Sequence, residues 1–229
     1  MNIVHIIAAH PDDEVLGCGG IIAKHTIIGD EVHVLILAEG ITSRDEQKKQ
    51  KNRNDDLSIL RQSAKEAHRI LGTSSLKMLN FPDNRMDSID LLDIVKKIEP
   101  EIAEKSSNII YTHHKSDLNI DHQLTHQAVM TSCRPTPGQK INRILCFEVP
   151  SSTEWQTPTP DNAFVPNCFV DITDTLKHKL NALKAYEGEI RDWPHSRSFK
   201  ALEHLARWRG ASSGVEAAEA FMISREVIH

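Results

Sequence analysis

Short apolar runs alternate along this chain with longer segments whose apolar residues recur at helical spacing. The apolar runs predict six strands, at residues 3–8, 32–38, 76–80, 108–111, 143–148 and 165–171. The segments between and after them predict helices at 15–28, 54–71, 88–104, 121–132, 174–187 and 198–209. Strands that alternate with crossover helices are typical of an α/β fold. We therefore expect a Rossmann-like three-layer sandwich, with a mostly parallel sheet and helices on both faces.

Length and composition favour one intracellular domain. A chain of 229 residues can bury one large core, so residues 1–229 are predicted to form a single domain, which the irregular segment and C-terminal helices of 149–229 complete. The net charge of -5 gives no basic surface for nucleic acid. No apolar stretch approaches the ~20 residues of a membrane helix. We expect a cytoplasmic protein without an integral membrane segment, and a homo-oligomer stays open.

Candidate chemistry begins where the first predicted strand ends, in Ala-His-Pro-Asp-Asp-Glu at 9–14. His10 and Asp13 supply the nitrogen and oxygen donors that zinc takes at about 2.0–2.2 Å, and a catalytic zinc site needs a third protein ligand. The best candidate is His122, because loops after neighbouring parallel strands converge over one sheet edge. The alternative is structural: a histidine at a strand end is commonly a hydrogen-bonded core residue, and Asp12 and Asp13 are good helix caps.

The turn at 9–14, paired with the distant Asp121-His122, resembles the PIG-L/LmbE family of zinc-dependent de-N-acetylases. Later segments fall in the same order as in that family: Ser43-Arg44, the helix around Arg61, Asn80 to Arg85, and Pro194 to Ser198. The resemblance implies His10, Asp13 and His122 as ligands of zinc, with iron(II) or another divalent ion as an alternative. It also implies Asp12 as the general base.

The same resemblance implies a hydrolase that removes the N-acetyl group from an N-acetylglucosamine-type sugar derivative, so the expected partner is a small amino-sugar conjugate. Some family members carry a histidine three residues before the ligand histidine, whereas this chain has Asn119. Asparagine can donate a hydrogen bond to an oxyanion but cannot deliver a proton. Asp12 is then the simplest proton donor to the leaving amine and His195 a weaker one, while Asp121 suits the orientation of an imidazole.

Arginine suits recognition of an anionic group on a sugar substrate through its planar fork. The candidates are Arg44, Arg61, Arg85 and Arg197, and a surface salt bridge is an equal alternative for each. Residues 44–56 are the most charged stretch, either a solvated segment or a mobile lid.

Other interpretations compete with the deacetylase. Gly17, Gly19 and Gly20 suggest a dinucleotide site, but their spacing favours close packing of a helix on the sheet. A non-catalytic sugar-binding module and a facial-triad iron oxygenase are further alternatives, the latter expected on an all-β fold. The remaining histidines are expected in strands, for His5 and His33, in the loop of the third ligand, for His113 and His114, or at the surface, for His25, His68, His178, His204 and His229.

Overall fold

The computed structural model describes residues 1–40 and 50–228, with side chains throughout except at 50–54. Seven strands lie in this part of the chain: β1 (Ile3–Ala8), β2 (Glu31–Ala38), β3 (Ser75–Phe81), β4 (Ile109–His113), β5 (Arg143–Phe147), β6 (Cys168–Asp171) and β7 (Ala218–Glu226). Six α-helices accompany them: α1 (Asp13–Ile27), α2 (Gln50–Leu71), α3 (Leu91–Lys105), α4 (Ile120–Ser132), α5 (Leu176–Lys184) and α6 (Phe199–Ala211).

The strands form one sheet in the order β3-β2-β1-β4-β5-β7-β6. The first five strands in this order pair in parallel, and β7 runs antiparallel between β5 and β6. The chain winds outward from β1 to β3 and then crosses back to β4, so the order reverses between β1 and β4. Loops diverge there at the carboxyl ends of the strands and leave a crevice, which is where open α/β sheets bind ligands.

Helices cover both faces of the sheet, which confirms the predicted three-layer α/β fold. One face buries apolar residues of α1, α2 and α5 against β1 and β2, among them Ile22, Ala64 and Leu183. The other face buries α3 and α4, through residues such as Ile98 and Val129. Successive residues of β1 and β2 alternate between these two clusters because side chains of a strand point to opposite faces. That residues 1–229 form one domain stays a prediction.

Strand β7 has no counterpart among the predicted elements. Its opening residues, Ala218-Glu219-Ala220, follow Glu216-Ala217 in a composition that favours a helix. Pairing with β5 and β6 overrides that preference and buries Ala218, Ala220 and Phe221. The other boundaries differ by a few residues; the segment predicted at 165–171 becomes a strand at Cys168.

The glycines at the start of α1 serve close packing, as the sequence favours. A Cβ atom at Gly17 would lie 2.4 Å from the Phe147 ring, and one at Gly20 would lie 2.8 Å from Ile172. The buried Glu219 carboxylate of β7 accepts the backbone N–H of Gly20 at 2.9 Å and also binds Lys179 Nζ at 2.7 Å. Close packing against Phe147 and Ile172 therefore accounts for these glycines without a bound dinucleotide.

The buried His5, in the central strand β1, makes the free energy of unfolding depend on pH. Burial, followed by the nearby charge of His33, lowers the pKa of His5 from 6.5 to about 3. Between these pH values the unfolded chain binds more protons than the native one, so the free energy of unfolding should fall as the pH falls below 6.5. One histidine contributes a slope of up to about 1.4 kcal/mol per pH unit.

Urea unfolding of wild type and His5→Gln at pH 7, 6 and 5 tests this expectation. The variant should lose most of that contribution to the slope, whatever its stability at pH 7. His178→Gln removes an imidazole from an exposed position of α5 and is the matched control. Identical slopes for wild type and His5→Gln would contradict the assignment.

Candidate metal centre and active site

Three side-chain atoms converge at the carboxyl edge of the sheet, in the crevice between β1 and β4. His10 Nδ1 lies 3.2 Å from Asp13 Oδ2 and 3.2 Å from His122 Nε2. The third side of this triangle, from His122 Nε2 to Asp13 Oδ2, measures 3.1 Å. Ligands of a tetrahedral zinc ion lie about 3.4 Å apart when each is about 2.1 Å from the metal. The structure thus brings together the three residues predicted as metal ligands.

Carboxylates select which nitrogen of each imidazole carries a proton. His10 Nε2 lies 3.0 Å from Asp121 Oδ2 and 3.2 Å from Asp83 Oδ1. His122 Nδ1 lies 3.1 Å from Asp117 Oδ1. A proton on His10 Nε2 leaves the lone pair on His10 Nδ1. The nearby Asp117 charge favours the same arrangement at His122, although within the described residues His122 Nδ1 makes no aligned hydrogen bond. Ligand histidines are commonly oriented in this way, through a carboxylate on the other ring nitrogen.

The charge of the cluster fits a cation. Asp13, Asp83, Asp117 and Asp121 are all buried around the two imidazoles. Within the described residues Asp13 Oδ1 has no hydrogen-bond donor, and an unsatisfied buried carboxylate oxygen is costly. Although burial disfavours its charged form, hydrogen bonds to Asp121 and Asp13 raise the pKa of His10 to about 10. The donor set of two nitrogens and one carboxylate suits zinc and other divalent transition metals.

The side chain of Asp12 does not cap α1, contrary to the structural alternative for this residue. It is buried, and its Oδ2 accepts a hydrogen bond from Arg197 Nη1 at 2.8 Å. Burial raises the pKa of Asp12 to about 8, even though Arg197 opposes the shift. Its backbone has φ 109°, a strained conformation for a residue with a side chain. Asp12 is thus a buried carboxylate that directly precedes Asp13 of the three-atom cluster and has no side-chain capping role.

Glu14 holds the strained turn in place. Its buried carboxylate accepts the backbone N–H of Asp12 at 3.0 Å, His68 Nε2 at 3.1 Å and the Tyr186 hydroxyl at 2.7 Å. The expected surface position of His68 is therefore wrong, and that of His25 is wrong as well, since both imidazoles are buried. His68 pairs with Glu14, which is distant in the sequence, and His25 pairs with Asp30, which is close. The periodicity of the sequence reveals neither partner.

Asn119 caps the helix that carries His122. Its Oδ1 accepts the backbone N–H of Asp121 at 2.8 Å, which marks it as the N-cap of α4. Its Nδ2 donates to Asn84 Oδ1 at 2.8 Å. Asp121 in turn accepts the backbone N–H groups of Asn84 at 2.6 Å and Met86 at 3.0 Å. The loop after β3 and the start of α4 are thereby joined beside His10.

The remaining predicted site residues lie at different distances from this cluster. Arg197 contacts the site directly through Asp12, and its Nε donates to Ser151 Oγ at 2.6 Å. His195 accepts the backbone N–H of Arg197 on its Nδ1. Arg85 is exposed next to Asn84, and Arg61 is exposed on α2. Arg44 lies outside the described residues, as does the segment 44–56 up to its helical part in α2.

Sequence reasoning assigned no role to Asp83, Asp117 or Glu14, and only a place in the pocket to His113. The His113 ring stacks on His122 with centroids 4.0 Å apart, and its Nε2 accepts the backbone N–H of Ala9 at 2.8 Å. Asp83 follows β3 by two residues, and His113 ends β4. His122 was predicted because loops after neighbouring parallel strands converge at one end of the sheet. The same rule could have identified Asp83 and His113.

The fold and the cluster together define an α/β protein with a His/Asp site able to hold a metal ion at the switch point of its sheet. A family model described as PIG-L, GlcNAc-PI de-N-acetylase, matches residues 5–133, more than half of the chain. The chain belongs to the PIG-L family.

The sequence is similar to other proteins over most of its length. An uncharacterized deacetylase of Escherichia coli, YaiS, is 30% identical over 80% of this chain and 89% of its own. A probable N-acetyl-alpha-D-glucosaminyl L-malate deacetylase 2 of Bacillus cereus is 28% identical over 81% of this chain and 83% of its own. The crystal structure of GalB, the 4-carboxy-2-hydroxymuconate hydratase of Pseudomonas putida, shares the fold with TM-score 0.78 at 21% identity, over 100% of this chain and 98% of that one.

Helices of the described chain are all too short or too polar to cross a membrane. The expected cytoplasmic location stays a prediction.

Removal of one ligand should separate metal binding from proton transfer. We expect His122→Ala and Asp13→Ala to lower metal affinity at least about 100-fold, because each removes a donor atom from the three-atom cluster. Asp12→Asn keeps the shape of a residue outside that cluster and should retain wild-type metal content. Metal titration against a chromophoric chelator after dialysis measures all three. Equimolar metal on His122→Ala would rule out His122 as a ligand.

Proposed function

We propose that this protein is a metal-dependent hydrolase, with zinc as the favoured ion, that removes the acetyl group from an N-acetylglucosamine-type conjugate. The observation that carries the proposal is a buried carboxylate, Asp12, which directly precedes Asp13 of the three-atom cluster, is bound by Arg197 and makes no helix-capping bond. Family membership and the deacetylase relatives support the reaction class. When bound, a divalent ion supplies Lewis-acid activation of water and of the acyl oxygen.

The chain's own residues supply the proton transfers. Asp12 accepts the proton of the attacking water at its carboxylate, with Arg197 fixing the orientation of Oδ2. The same Asp12 then returns this proton to the amine as the C–N bond breaks. His195 sits behind Arg197, whose backbone N–H it accepts, and it is the weaker candidate for this proton donor.

Other residues position the reacting groups. Asp121 and Asp117 hold the imidazoles of His10 and His122 in the required orientation. Asn119 retains a second N–H on Nδ2 beyond the one given to Asn84, and this N–H can donate to the developing oxyanion. Arg85 and Asn84, both exposed beside the cluster, are placed to contact sugar hydroxyls or an anionic group.

The alternatives fare differently. The iron oxygenase was expected on an all-β jelly roll, and the mostly parallel sheet disfavours it. A binding module without activity would have no use for a strained, buried Asp12 beside the ligand atoms. A hydratase reaction, which the name of the structural neighbour GalB describes for that protein, needs no proton donor to an amine and is the rival reaction to test.

Amine release from N-acetylglucosamine derivatives tests the proposal, with zinc-loaded wild type against Asp12→Asn. The variant should lose about 10²–10⁴-fold in kcat because it cannot accept a proton, while its KM and metal content stay near wild type. Near wild-type turnover in Asp12→Asn would eliminate Asp12 as the base. Silence towards every amide, together with water addition to a hydroxymuconate-type acid, would favour the hydratase.

Asn119 can be tested with a pair of variants that separates its two roles. Asn119→Ser keeps a capping oxygen but lacks the amide N–H, and it should lower kcat about 10²-fold at unchanged metal content. Asn119→Ala should in addition lose about 1 kcal/mol of unfolding free energy, measured in urea, because the cap is gone. Wild-type turnover in Asn119→Ser would restrict this residue to capping α4.

A further inference from the structure

Three large apolar side chains are exposed near the mouth of the site. Trp155 is 54% exposed, Leu118 50% and Ile120 39%. We call these three residues the apolar rim. Single exposed apolar residues are common on protein surfaces, whereas a contiguous group of them marks a binding surface. Whether the three form one group is therefore decisive.

Hydrogen bonds place two members of the apolar rim, Trp155 and Leu118, beside Asp117, and Ile120 lies two residues after Leu118 in the chain. The side chains of Ser152 and Thr153, which precede Trp155, both donate to the Asp117 carboxylate, the latter at 2.6 Å. Gln156 Nε2, directly after Trp155, reaches the Asp117 carbonyl at 3.5 Å. Leu118 follows Asp117 in the chain. Trp155 and Leu118 are thus held next to each other on a common anchor.

The apolar rim adjoins the reacting groups on two sides. Asp117 lies 3.1 Å from His122, one of the three ligand residues. The Trp155 ring meets the His195 ring edge-on, with centroids 5.7 Å apart. His195 accepts the backbone N–H of Arg197, whose guanidinium binds Asp12. A substrate bound at Asp12 and the proposed metal site would therefore extend outward along Trp155.

The two sides of the entrance differ in chemistry. Exposed Asn84 and Arg85 follow β3 and present polar groups, while the apolar rim offers an aromatic ring and two aliphatic chains. Asn119, between Leu118 and Ile120, joins the two sides through its bond to Asn84. The Trp155 indole offers one N–H donor, and Leu118 and Ile120 offer none, so the apolar rim supplies few partners for the several hydroxyls of a second sugar ring. An alkyl or aryl group would instead gain by leaving water.

We propose that the apolar rim binds an alkyl or aryl group on the anomeric carbon of the amino sugar, so that the preferred substrates are N-acetylglucosaminides with an apolar aglycone. This specificity rests on the proposed deacetylase function. The sugar hydroxyls face Asn84 and Arg85, and the apolar aglycone covers Trp155 and Leu118.

A matched substrate pair tests the proposal: methyl and octyl N-acetylglucosaminide, assayed by amine release with zinc-loaded protein. Wild type should favour the octyl glycoside at least about 10-fold in kcat/KM, mainly through KM. Trp155→Ala and Leu118→Ser should remove most of this preference, because they should lower kcat/KM for the octyl glycoside far more than for the methyl glycoside. Trp208→Ala is the control, because Trp208 is 67% exposed on α6 and outside the apolar rim.

Several outcomes would overturn the proposal. Equal rates on both glycosides, or a preference for diacetylchitobiose over the octyl glycoside, would show that no apolar aglycone is recognised. An equal loss on both glycosides in Trp155→Ala would mean that Trp155 only supports His195. A preference for a longer N-acyl chain that depends on Trp155 would assign the apolar rim to the acyl group.

A failure of the proposed deacetylase function can be distinguished from a failure of the apolar rim as a binding surface. If no glycoside releases amine, calorimetry measures the equilibrium binding of octyl and methyl N-acetylglucosaminide to the zinc-loaded protein. The ratio of the two affinities then tests the apolar rim alone. Octyl binding at least about 10-fold tighter, and lost in Trp155→Ala, would uphold the apolar rim while the deacetylase fails. Equal or undetectable binding of both would overturn the rim as well.

Discussion

The imidazole of His10 couples the parts of the site, because each of its nitrogens faces buried acids from different elements. On one side lie Asp13 and His122, and on the other Asp83 and Asp121. Burying charge costs several kcal/mol per ion unless each charge is paired and hydrogen-bonded. The turn after β1, the loop after β3 and the first turn of α4 must therefore keep their mutual positions. Any shift would leave a carboxylate without its partner.

A second constraint is the backbone of Asp12. The residue adopts a conformation that favours glycine, yet it carries a carboxylate, and this carboxylate makes no capping bond to the helix that follows it. Glu14 compensates by accepting the Asp12 N–H, and Arg197 by neutralising the side chain. Strain of this kind persists where surrounding contacts over-determine the backbone, and it is common at functional sites. The arrangement sacrifices the most stable local geometry, as expected if Asp12 has the proposed role in proton transfer.

The local sequence pattern was enough to predict the parallel part of the sheet and the convergence of His10, Asp13 and His122. Apolar runs marked β1 to β5, and the edge rule brought His10 and His122 to one crevice. Glu219 shows what could not be predicted: a helix-favouring acid placed in a strand by pairing and by Lys179. The link from His68 to Glu14 escaped prediction for a similar reason, because contacts 54 residues apart leave no periodic trace.

The C-terminal third has a consequence for how the site comes into being during synthesis. His10, Asp13 and His122 emerge from the ribosome well before the residues that hold this turn and the helix after it: Tyr186 for Glu14, Arg197 for Asp12, and Glu219 for Ile21 in the middle of α1. A nascent chain can therefore carry every ligand while lacking the supports of its reactive carboxylate. Since these supports are synthesised after His122, the proposed metal ligands are expected to assemble first and the surroundings of Asp12 last.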